Sequence, residues 1–211
     1  MNLPRLVAIL DADAARGAGL PVVDVASAFL RGGATFLQFR AKAAPGKWLL
    51  DTASAIVALA HRAHAHVIVN DRADIARLSG ADGVHVGQDD LAPVLVRRLM
   101  SEQAMVGLST HTLEQVNAAV GQPISYVAIG PVFDTRTKPS HNRAIGLDGV
   151  REAARAARAA GLPLVAIGGI ALESAPAVIG AGADSVAVIS DLLVDANPEA
   201  RVRAYLERLT V

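Results

Sequence analysis

The chain has 211 residues, 52% of them hydrophobic, and its 20 basic and 20 acidic residues give a formal net charge of zero. This length and apolar content suit one compact domain, and the balanced charge, without a basic tail or block, gives no support for nucleic-acid binding. Because the chain has no cysteine, disulfides, thiolate zinc sites and a cysteine nucleophile are excluded.

The beginning of the chain does not resemble a targeting segment. The apolar run within Met1–Leu10 soon meets Asp11 and Asp13, and it lacks the core and cleavage site of a signal peptide. No apolar stretch is long enough to span a bilayer. We therefore expect a cytoplasmic protein with no membrane or nucleic-acid partner. Composition leaves open whether the chain forms a homo-oligomer.

Short β-branched runs recur along the chain and predict eight strands. In chain order they are Leu6–Leu10, Thr35–Phe39, Val67–Val69, Gly83–Val86, Met105–Leu108, Tyr126–Ile129, Leu164–Ile167 and Ser185–Ile189. Nearly continuous apolar runs of this length are typical of a parallel sheet that is buried on both faces.

Amphipathic, alanine-rich segments alternate with these strands and predict helices. Clear examples are Pro45–Arg62, Leu91–Met100, Leu147–Ala160 and Pro198–Leu209. Strands and helices that alternate eight times favour a closed barrel over an open doubly wound sheet. We therefore predict an α/β fold, a single (β/α)₈ TIM barrel that forms one catalytic domain over residues 1–211.

Two segments that lie roughly half the chain apart resemble each other. Gly80–Val86 and Gly182–Val188 both begin with Gly-Ala-Asp and continue into a predicted strand. Two explanations stay open at this point. The resemblance indicates either a half-barrel repeat or a short sequence motif that is favourable where a helix ends and a strand begins.

Polar residues cluster where the predicted strands end, which is where a barrel of this kind places its catalytic groups. They are nearly absent from the strand bodies. The segments concerned are Gln38–Lys42, Asn70–Arg72, Gly87–Asp90, Ser109–Thr112, Gly130–Pro139, Gly168–Gly169 and Ile189–Ser190. Stability alone does not explain this concentration.

The ends of the seventh and eighth predicted strands suit a monophosphate. Gly168, Gly169, Ile189 and Ser190 lie where barrels often bind phosphate through loop amides and a helix N-terminus. Glycine there allows the backbone to approach the anion closely. The alternative is a tight turn that needs glycine for its own conformation.

A second group of strand-end residues suits a more highly charged anion. Arg40, Lys42 and Lys138 are cations, and Asp71 and Asp90 follow neighbouring predicted strands. Because neighbouring parallel strands are about 5 Å apart, the two carboxylates could hold one hard cation between them. Mg²⁺ prefers few carboxylates together with water and phosphate oxygens. The alternative is that each aspartate caps the helix that follows it.

The histidines are less informative. His61, His64 and His66 precede the third strand, and we place them at the opposite end of the barrel, the face associated with stability. His85 lies inside the fourth strand and is expected to be an interior residue with its hydrogen bonds satisfied. His111 lies at the catalytic end, and its role stays open.

The sequence motifs at the strand ends resemble those of the thiamine phosphate synthase family, and they occur in the family's order. The matching motifs are Gln38–Lys42, Val69–Arg72, His85–Asp90, Gly107–Thr112, Gly130–Phe133 with Thr135–Pro139, and Ala166–Ile170. One such motif is weak evidence for a family, but six motifs in the same order over most of the chain are specific evidence.

The resemblance implies a transferase of thiamine biosynthesis and assigns roles by position. Aminopyrimidine methyl diphosphate would be bound by Gln38, Arg40, Lys42, Asn70, Ser109 and Lys138. Of these, the catalytic residues would be Arg40, Lys42, Ser109 and Lys138. Thiazole phosphate would be bound by Thr135, Thr137, Gly168, Gly169, Ile189 and Ser190. Asp71 and Asp90 would bind one Mg²⁺ per subunit, bridged to the diphosphate.

The implied reaction is dissociative: the diphosphate leaves first, and the thiazole nitrogen then attacks a methyl cation stabilised by the pyrimidine. The sequence departs from the family at two places. The first strand ends Ile9-Leu10-Asp11, where the family more often has a Thr-Asp pair, and the stretch Ser140–Arg143 is unusual. We expect neither departure to touch the assigned residues.

Three other functions remain to be weighed. A thiazole tautomerase-like isomerase of the same barrel family would use His111 as its acid–base group and would not need the paired carboxylates. A non-catalytic barrel that binds thiamine precursors would have lost metal ligands or cations, and none is missing. A sugar-phosphate epimerase would need opposed acid and base groups, which we do not find in the sequence.

Overall fold

The computed structural model describes residues 3–135 and 143–210, and its strands close into a barrel. They are β1 (Leu6–Asp11), β2 (Phe36–Arg40), β3 (His66–Asn70), β4 (Gly83–Val86), β5 (Met105–Thr110), β6 (Tyr126–Ile129), β7 (Leu164–Ile167) and β8 (Ser185–Val188). Each strand pairs in parallel with the next, and β8 pairs with β1. The predicted (β/α)₈ barrel is confirmed, and the strand bounds differ from the predicted ones by no more than two residues.

Helices surround the barrel and connect its strands. They are α1 (Ala12–Gly17), α2 (Val22–Arg31), α3 (Gly46–Arg62), α4 (Ala73–Ser79), α5 (Pro93–Leu99), α6 (Leu113–Ala119), α7 (Gly146–Ala159), α8 (Ala175–Gly180) and α9 (Pro198–Arg208), with a 3₁₀ helix at Ser190–Ala196. The four helices singled out from the sequence correspond to α3, α5, α7 and α9. In the described part of the chain, no helix has both the length and the apolar character that crossing a membrane requires.

Alternating strand residues form two separate apolar layers, because successive side chains point to opposite faces of a strand. In β1, Leu6, Ala8 and Leu10 pack against the helices, whereas Val7 and Ile9 belong to a cluster inside the barrel. The interior is therefore packed. The same alternation places the last inward-facing side chains at the C-terminal rim, where they line one shared space.

The two Gly-Ala-Asp segments serve one local purpose. Asp82 accepts a hydrogen bond from the Val67 backbone N–H through Oδ2, at 2.7 Å, and its own N–H donates to the Val67 carbonyl. Asp184 makes the same pair of contacts with Leu164. Each aspartate thus holds the start of the preceding strand. The shared Gly-Ala-Asp sequence is therefore explained by this contact, which both segments make just before a strand begins.

The histidines before and at the start of β3 lie at the N-terminal end of the barrel, as predicted. His61 Nε2 lies 3.2 Å from Asp82 Oδ2, and His66 Nδ1 lies 3.2 Å from Asp82 Oδ1. Asp82 also holds the start of β3, so this cluster belongs to the framework that aligns the strands. It is remote from the strand ends where the predicted site residues lie.

Candidate active site

The rim of β1 and β2 carries an ion pair that the sequence did not reveal. Asp11 and Arg40 are register partners at the ends of these strands, and an Arg40 guanidinium N–H donates to Asp11 Oδ2. The second carboxylate oxygen of Asp11 accepts from the Ala14 N–H at 2.8 Å and so caps α1. The expectation that the unusual end of the first strand would not touch an assigned residue is therefore wrong, because Asp11 pairs with Arg40.

The next two strands bring the predicted metal ligands together. Asp71 follows β3 and Asp90 lies in the loop after β4, and their side chains are close enough to hydrogen-bond. Burial raises the pKa of Asp71, and the hydrogen bond and repulsion from Asp90 raise that pKa further. Lys42 acts in the opposite direction, with its Nζ 3.2 Å from Asp71 Oδ2. Two carboxylates and one lysine thus share a small volume, where they leave an excess of negative charge.

Neither aspartate caps the helix that follows it, so that alternative is wrong. The residue before α4 is Arg72, and the residue before α5 is Ala92; neither makes a side-chain capping bond. Asp90 instead accepts the Gly87 N–H at 2.7 Å, within its own loop. Asp71 has a left-handed backbone, with φ at 62°. Such a conformation is uncommon outside glycine, although aspartate adopts it more readily than most residues.

The predicted pyrimidine ligands Gln38, Asn70 and Ser109 come from β2, β3 and β5. Each lies two or four residues after an inward-facing apolar residue of its own strand (Phe36, Ile68 and Met105), so all three also face the barrel interior, near its rim. Ser109 is held firmly: its Oγ lies 2.7 Å from His85 Nε2, and its carbonyl accepts from Gln88 Nε2 at 2.6 Å. The structure brings these predicted residues together on one side of the barrel mouth.

A cavity of about 370 Å³ opens between the ends of β5 and β8, a volume within the range of small-molecule sites. Its lining includes six of the predicted residues: Ser109, Thr135, Gly168, Gly169, Ile189 and Ser190. The predicted thiazole phosphate ligands of the described chain thus line one space, and Ser109 borders both this space and the pyrimidine side. The predicted ligands Thr137 and Lys138 lie outside the described residues, as does most of the stretch Ser140–Arg143.

Gly168 and Gly169 are glycines because another loop crosses them. Their φ angles are 100° and 67°. A Cβ on Gly168 would lie 2.7 Å from Pro131, and one on Gly169 would lie 2.6 Å from the Asp134 carbonyl oxygen. The Phe133 N–H also donates to the Gly168 carbonyl. The conformational alternative raised from the sequence therefore accounts for both glycines, and it is compatible with an anion at the adjoining amides.

Asp191 was missed in the sequence, although it directly follows the predicted ligand Ser190. Its Oδ2 accepts from the Leu172 N–H at 3.1 Å, from Arg201 Nη2 at 2.8 Å and from the Tyr205 hydroxyl at 2.5 Å. These contacts tie the loop after β7 and the 3₁₀ helix after β8 to α9. Asp191 therefore fixes the relative positions of the two loops that line the cavity.

His111 also borders the cavity, at the end of β5. Its Nδ1 lies 2.7 Å from the Gly130 carbonyl oxygen, and its backbone N–H donates to Gln115 Oε1. A carbonyl oxygen accepts only, so Nδ1 carries the proton. The other ring nitrogen, Nε2, is then the acceptor of the neutral imidazole. The geometry suits an acid–base group as well as a polar cavity wall.

Comparison with known proteins agrees with this arrangement. The family model described as thiamine monophosphate synthase matches residues 6–192. A thiamine-phosphate synthase of Koribacter versatilis is 41% identical over 99% of this chain and 97% of its own length. A second one, from Anaeromyxobacter dehalogenans, is 45% identical over 90% of this chain and 85% of its own. Among solved structures, a thiamine phosphate pyrophosphorylase from Pyrococcus furiosus has a TM-score of 0.85 at 28% identity, covering 98% of this chain and 97% of that one.

Proposed function

The chain belongs to the thiamine monophosphate synthase family, and we propose that it is a Mg²⁺-dependent enzyme with a dissociative mechanism. It is a transferase, as its relatives named thiamine-phosphate synthase are. The proposed reaction moves an aminopyrimidine methyl group from its diphosphate to the nitrogen of thiazole phosphate. Its products are thiamine phosphate and diphosphate. We also propose that residues 1–211 act as one catalytic domain in the cytoplasm.

The observation that carries the proposal is the convergence of Asp71 and Asp90 beside Lys42. The two carboxylates repel each other, neither caps a following helix, and Lys42 offsets only part of their charge. Within the described ranges, no group of three or more histidine, cysteine or acidic side chains could hold a metal. Two carboxylates suit an ion that takes its other ligands from water and phosphate oxygens, as Mg²⁺ does. Asp71 and Asp90 would hold the ion.

A bound Mg²⁺ would supply positive charge to neutralise the diphosphate. Arg40 at the end of β2 and Lys42 in the loop after it would bind the same group, with Arg40 aimed by its ion pair with Asp11. The carbon–oxygen bond to the diphosphate breaks first, and its electron pair leaves with the diphosphate. Cations fixed at the place where negative charge develops lower the barrier to this step. Lys138 has the same proposed role.

Gln38, Asn70 and Ser109 would orient the pyrimidine ring, and the cavity at β5–β8 would hold the thiazole phosphate against it. The lone pair of the thiazole nitrogen then forms the carbon–nitrogen bond. That nitrogen carries no proton, so this step needs no general base. The proposed contribution of the barrel is to align the two partners and to keep water away from the cation.

The experiment is to mix the two precursors with the protein and Mg²⁺ and to follow thiamine phosphate by mass spectrometry. We expect product with Mg²⁺ and none in excess chelator, with an unchanged circular dichroism spectrum in both conditions. Product formation at the same rate in chelator would contradict the metal assignment. Tight binding of both precursors without product would instead favour a non-catalytic precursor-binding barrel.

One observation favours a second candidate function, a thiazole tautomerase-like isomerase. His111 borders the cavity with Nδ1 fixed by Gly130, as an acid–base residue would require. Such a reaction would need neither Asp71 nor Asp90. His111→Asn retains a polar side chain and removes the imidazole ring. If isomerisation of the thiazole substrate proceeds in chelator and stops in this variant, the isomerase is the function of the chain.

A further inference from the structure

The cavity between β5 and β8 has an acidic lining, although it is the proposed site of a phosphate. Asp134 and Asp191 both line it, and the lining contains no lysine or arginine in the part of the chain that the structure describes. A phosphate monoester carries a charge of about −1.5 to −2 at pH 7. Backbone amides can bind such an anion, but an unpaired carboxylate beside it would repel it. Asp134 is exposed to solvent, which screens its charge, whereas Asp191 is not.

Arg201 of α9 pairs with Asp191. Its Nη2 lies 2.8 Å from Asp191 Oδ2, and its Nε lies 3.2 Å from the same oxygen and 3.1 Å from the Asp191 carbonyl oxygen. The two side chains are only 21% and 18% exposed, so solvent screens their charges less than it would at the surface. The guanidinium carbon also lies 5.9 Å from the ring centroid of Tyr205, whose hydroxyl donates to Asp191 Oδ2. Arg201 is therefore held in one place, with its positive charge against Asp191.

The carboxylate of Asp191 lies where its charge would act on a bound phosphate. Asp191 directly follows Ser190, and its Oδ2 accepts from the Leu172 N–H in the loop after β7. It thus joins the two loops that carry the proposed phosphate ligands. Glu173 adds a second negative charge that interacts with Arg201. Without Arg201, both carboxylates would lack the positive charge that now offsets them.

We propose that Arg201 is a specificity-determining residue for the phosphate group of the second substrate. It acts through Asp191: the ion pair neutralises the carboxylate in the cavity wall, so that the adjoining amides can bind a dianion. An uncharged ligand of the same shape would not need this neutralisation. The inference rests on the proposed synthase function and deepens it, because it names the residue that lets this cavity accept a phosphate.

The test compares the Kd of thiazole phosphate with that of the thiazole alcohol, which lacks the phosphate group, by calorimetry. The ratio of the two constants measures the preference for the phosphate and cancels a general change in cavity shape. Arg201→Gln retains a polar side chain but leaves Asp191 unpaired, so the preference should fall by roughly tenfold or more. An unchanged preference in this variant would overturn the proposal.

Arg203→Gln is the matched control. Arg203 lies on the same helix, two residues from Arg201, and pairs with Glu199 at the surface. The variant removes the same charge from the same helix, but not from the cavity wall. We expect it to bind both ligands as the wild type does. A loss of preference as large as that of Arg201→Gln would mean that the net charge of the protein, and not the pair with Asp191, determines phosphate binding.

Replacing Asp191 distinguishes neutralisation of charge from a purely structural role. Asp191→Asn retains an acceptor oxygen and leaves the positive charge of Arg201 in place, so the preference should equal that of the wild type or rise. Combined with Arg201→Gln, it removes the unpaired carboxylate and should restore the preference to within about threefold of the wild type. If the pair only tethered the loops, the double variant would bind phosphate no better than Arg201→Gln.

Asp191→Asn also provides a test that does not require Arg201→Gln to fold, since a marked fall in its preference for the phosphate would refute the neutralising role. A wild type that binds thiazole phosphate no better than the alcohol would refute it as well. A wild type that shows the expected preferences in binding but makes no thiamine phosphate would contradict the proposed function, while the role of Arg201 would be supported.

Discussion

Lys42 Nζ lies 3.2 Å from Asp71 Oδ2, so a cation proposed for the diphosphate is paired with a carboxylate proposed for Mg²⁺. Asp71 also faces Asp90, whose repulsion adds to burial in raising the pKa of Asp71. Lys42 therefore offsets part of the charge that the metal would neutralise more fully. The pairing links the two halves of the proposed diphosphate site, because an ion at the aspartates would release Lys42 towards the substrate.

The first prediction follows from this excess charge. A carboxyl with a raised pKa costs folding free energy when it ionises at neutral pH, so its removal should stabilise the metal-free protein. Asp71→Asn also retains a residue type that tolerates the left-handed backbone. We expect its melting temperature without metal to rise by roughly 2–4 °C, the shift that about 1 kcal/mol produces in a domain of this size.

The same variant should lose its response to metal. Mg²⁺ should raise the melting temperature of the wild type in the presence of diphosphate but not that of Asp71→Asn, and turnover should need far more Mg²⁺ or stop. Asp74→Asn is the matched control, because Asp74 lies nearby on α4 and pairs with exposed Arg72. Equal stabilisation of wild type and Asp71→Asn by Mg²⁺ would remove Asp71 from the metal site.

The second prediction concerns the ion pair between Asp11 and Arg40. Asp11→Asn retains an oxygen to cap α1 and removes the charge that holds the Arg40 guanidinium in place. Because charge-assisted hydrogen bonds contribute about 1.5–3 kcal/mol, we expect inhibition by diphosphate to weaken by roughly tenfold or more. Because a largely buried guanidinium then loses its charged partner, the melting temperature should also fall, by several degrees. The inhibition constant for diphosphate is the measurement, and Arg31→Gln, which loses a surface ion pair with Glu199, is the control.

If diphosphate inhibits Asp11→Asn as strongly as the wild type, Arg40 does not need Asp11 to bind the anion. A stronger inhibition would show that Asp11 competes with the anion for Arg40. Either result would contradict the orienting role assigned to the pair.

The third prediction is a pH dependence at the opposite end of the barrel. Burial acts to raise the pKa of Asp82, but the Val67 N–H, His66 and His61 together lower it below its ordinary value. A lowered pKa means that the charged form stabilises the fold above the unfolded-state pKa of about 3.9, and that this stability is lost as the pH falls through the folded-state pKa. Asp82→Asn should therefore destabilise the protein by about 1 kcal/mol at pH 7.

The measurement is urea unfolding at pH 7 and again well below pH 4, where the difference between wild type and Asp82→Asn should shrink. Asp184→Asn is the matched control because Asp184 makes the same backbone contacts at β7. If the difference between wild type and Asp82→Asn were as large in acid as at neutral pH, the stabilisation would not depend on the carboxylate charge.

The sequence predicts the barrel well because each strand is a short apolar run with its own local signal. It also predicts which strand ends bring polar side chains together, since Asp71, Asp90 and Ser109 interrupt that apolar pattern. It does not predict Asp11 as the partner of Arg40, because only the register of β1 and β2 brings them together. The 2.8 Å contact between His85 Nδ1 and the Tyr126 hydroxyl is hidden for the same reason, because only the pairing of β4 and β6 with β5 brings the two side chains together.

The last prediction separates two reasons for glycine at the end of β7. Gly168 has a φ of 100° and a Cβ there would meet Pro131 at 2.7 Å, whereas Gly161 has a φ of 68° and open space around it. Gly161→Ala should therefore cost only the backbone strain, about 1–2 kcal/mol. Gly168→Ala adds a collision with the loop after β6, so it should lower the melting temperature by more than Gly161→Ala does. Because that loop also lines the cavity, Gly168→Ala should weaken binding of thiazole phosphate, measured by calorimetry, while Gly161→Ala leaves it unchanged. If Gly168→Ala binds thiazole phosphate as the wild type does, the position of this loop is not what forms the phosphate site.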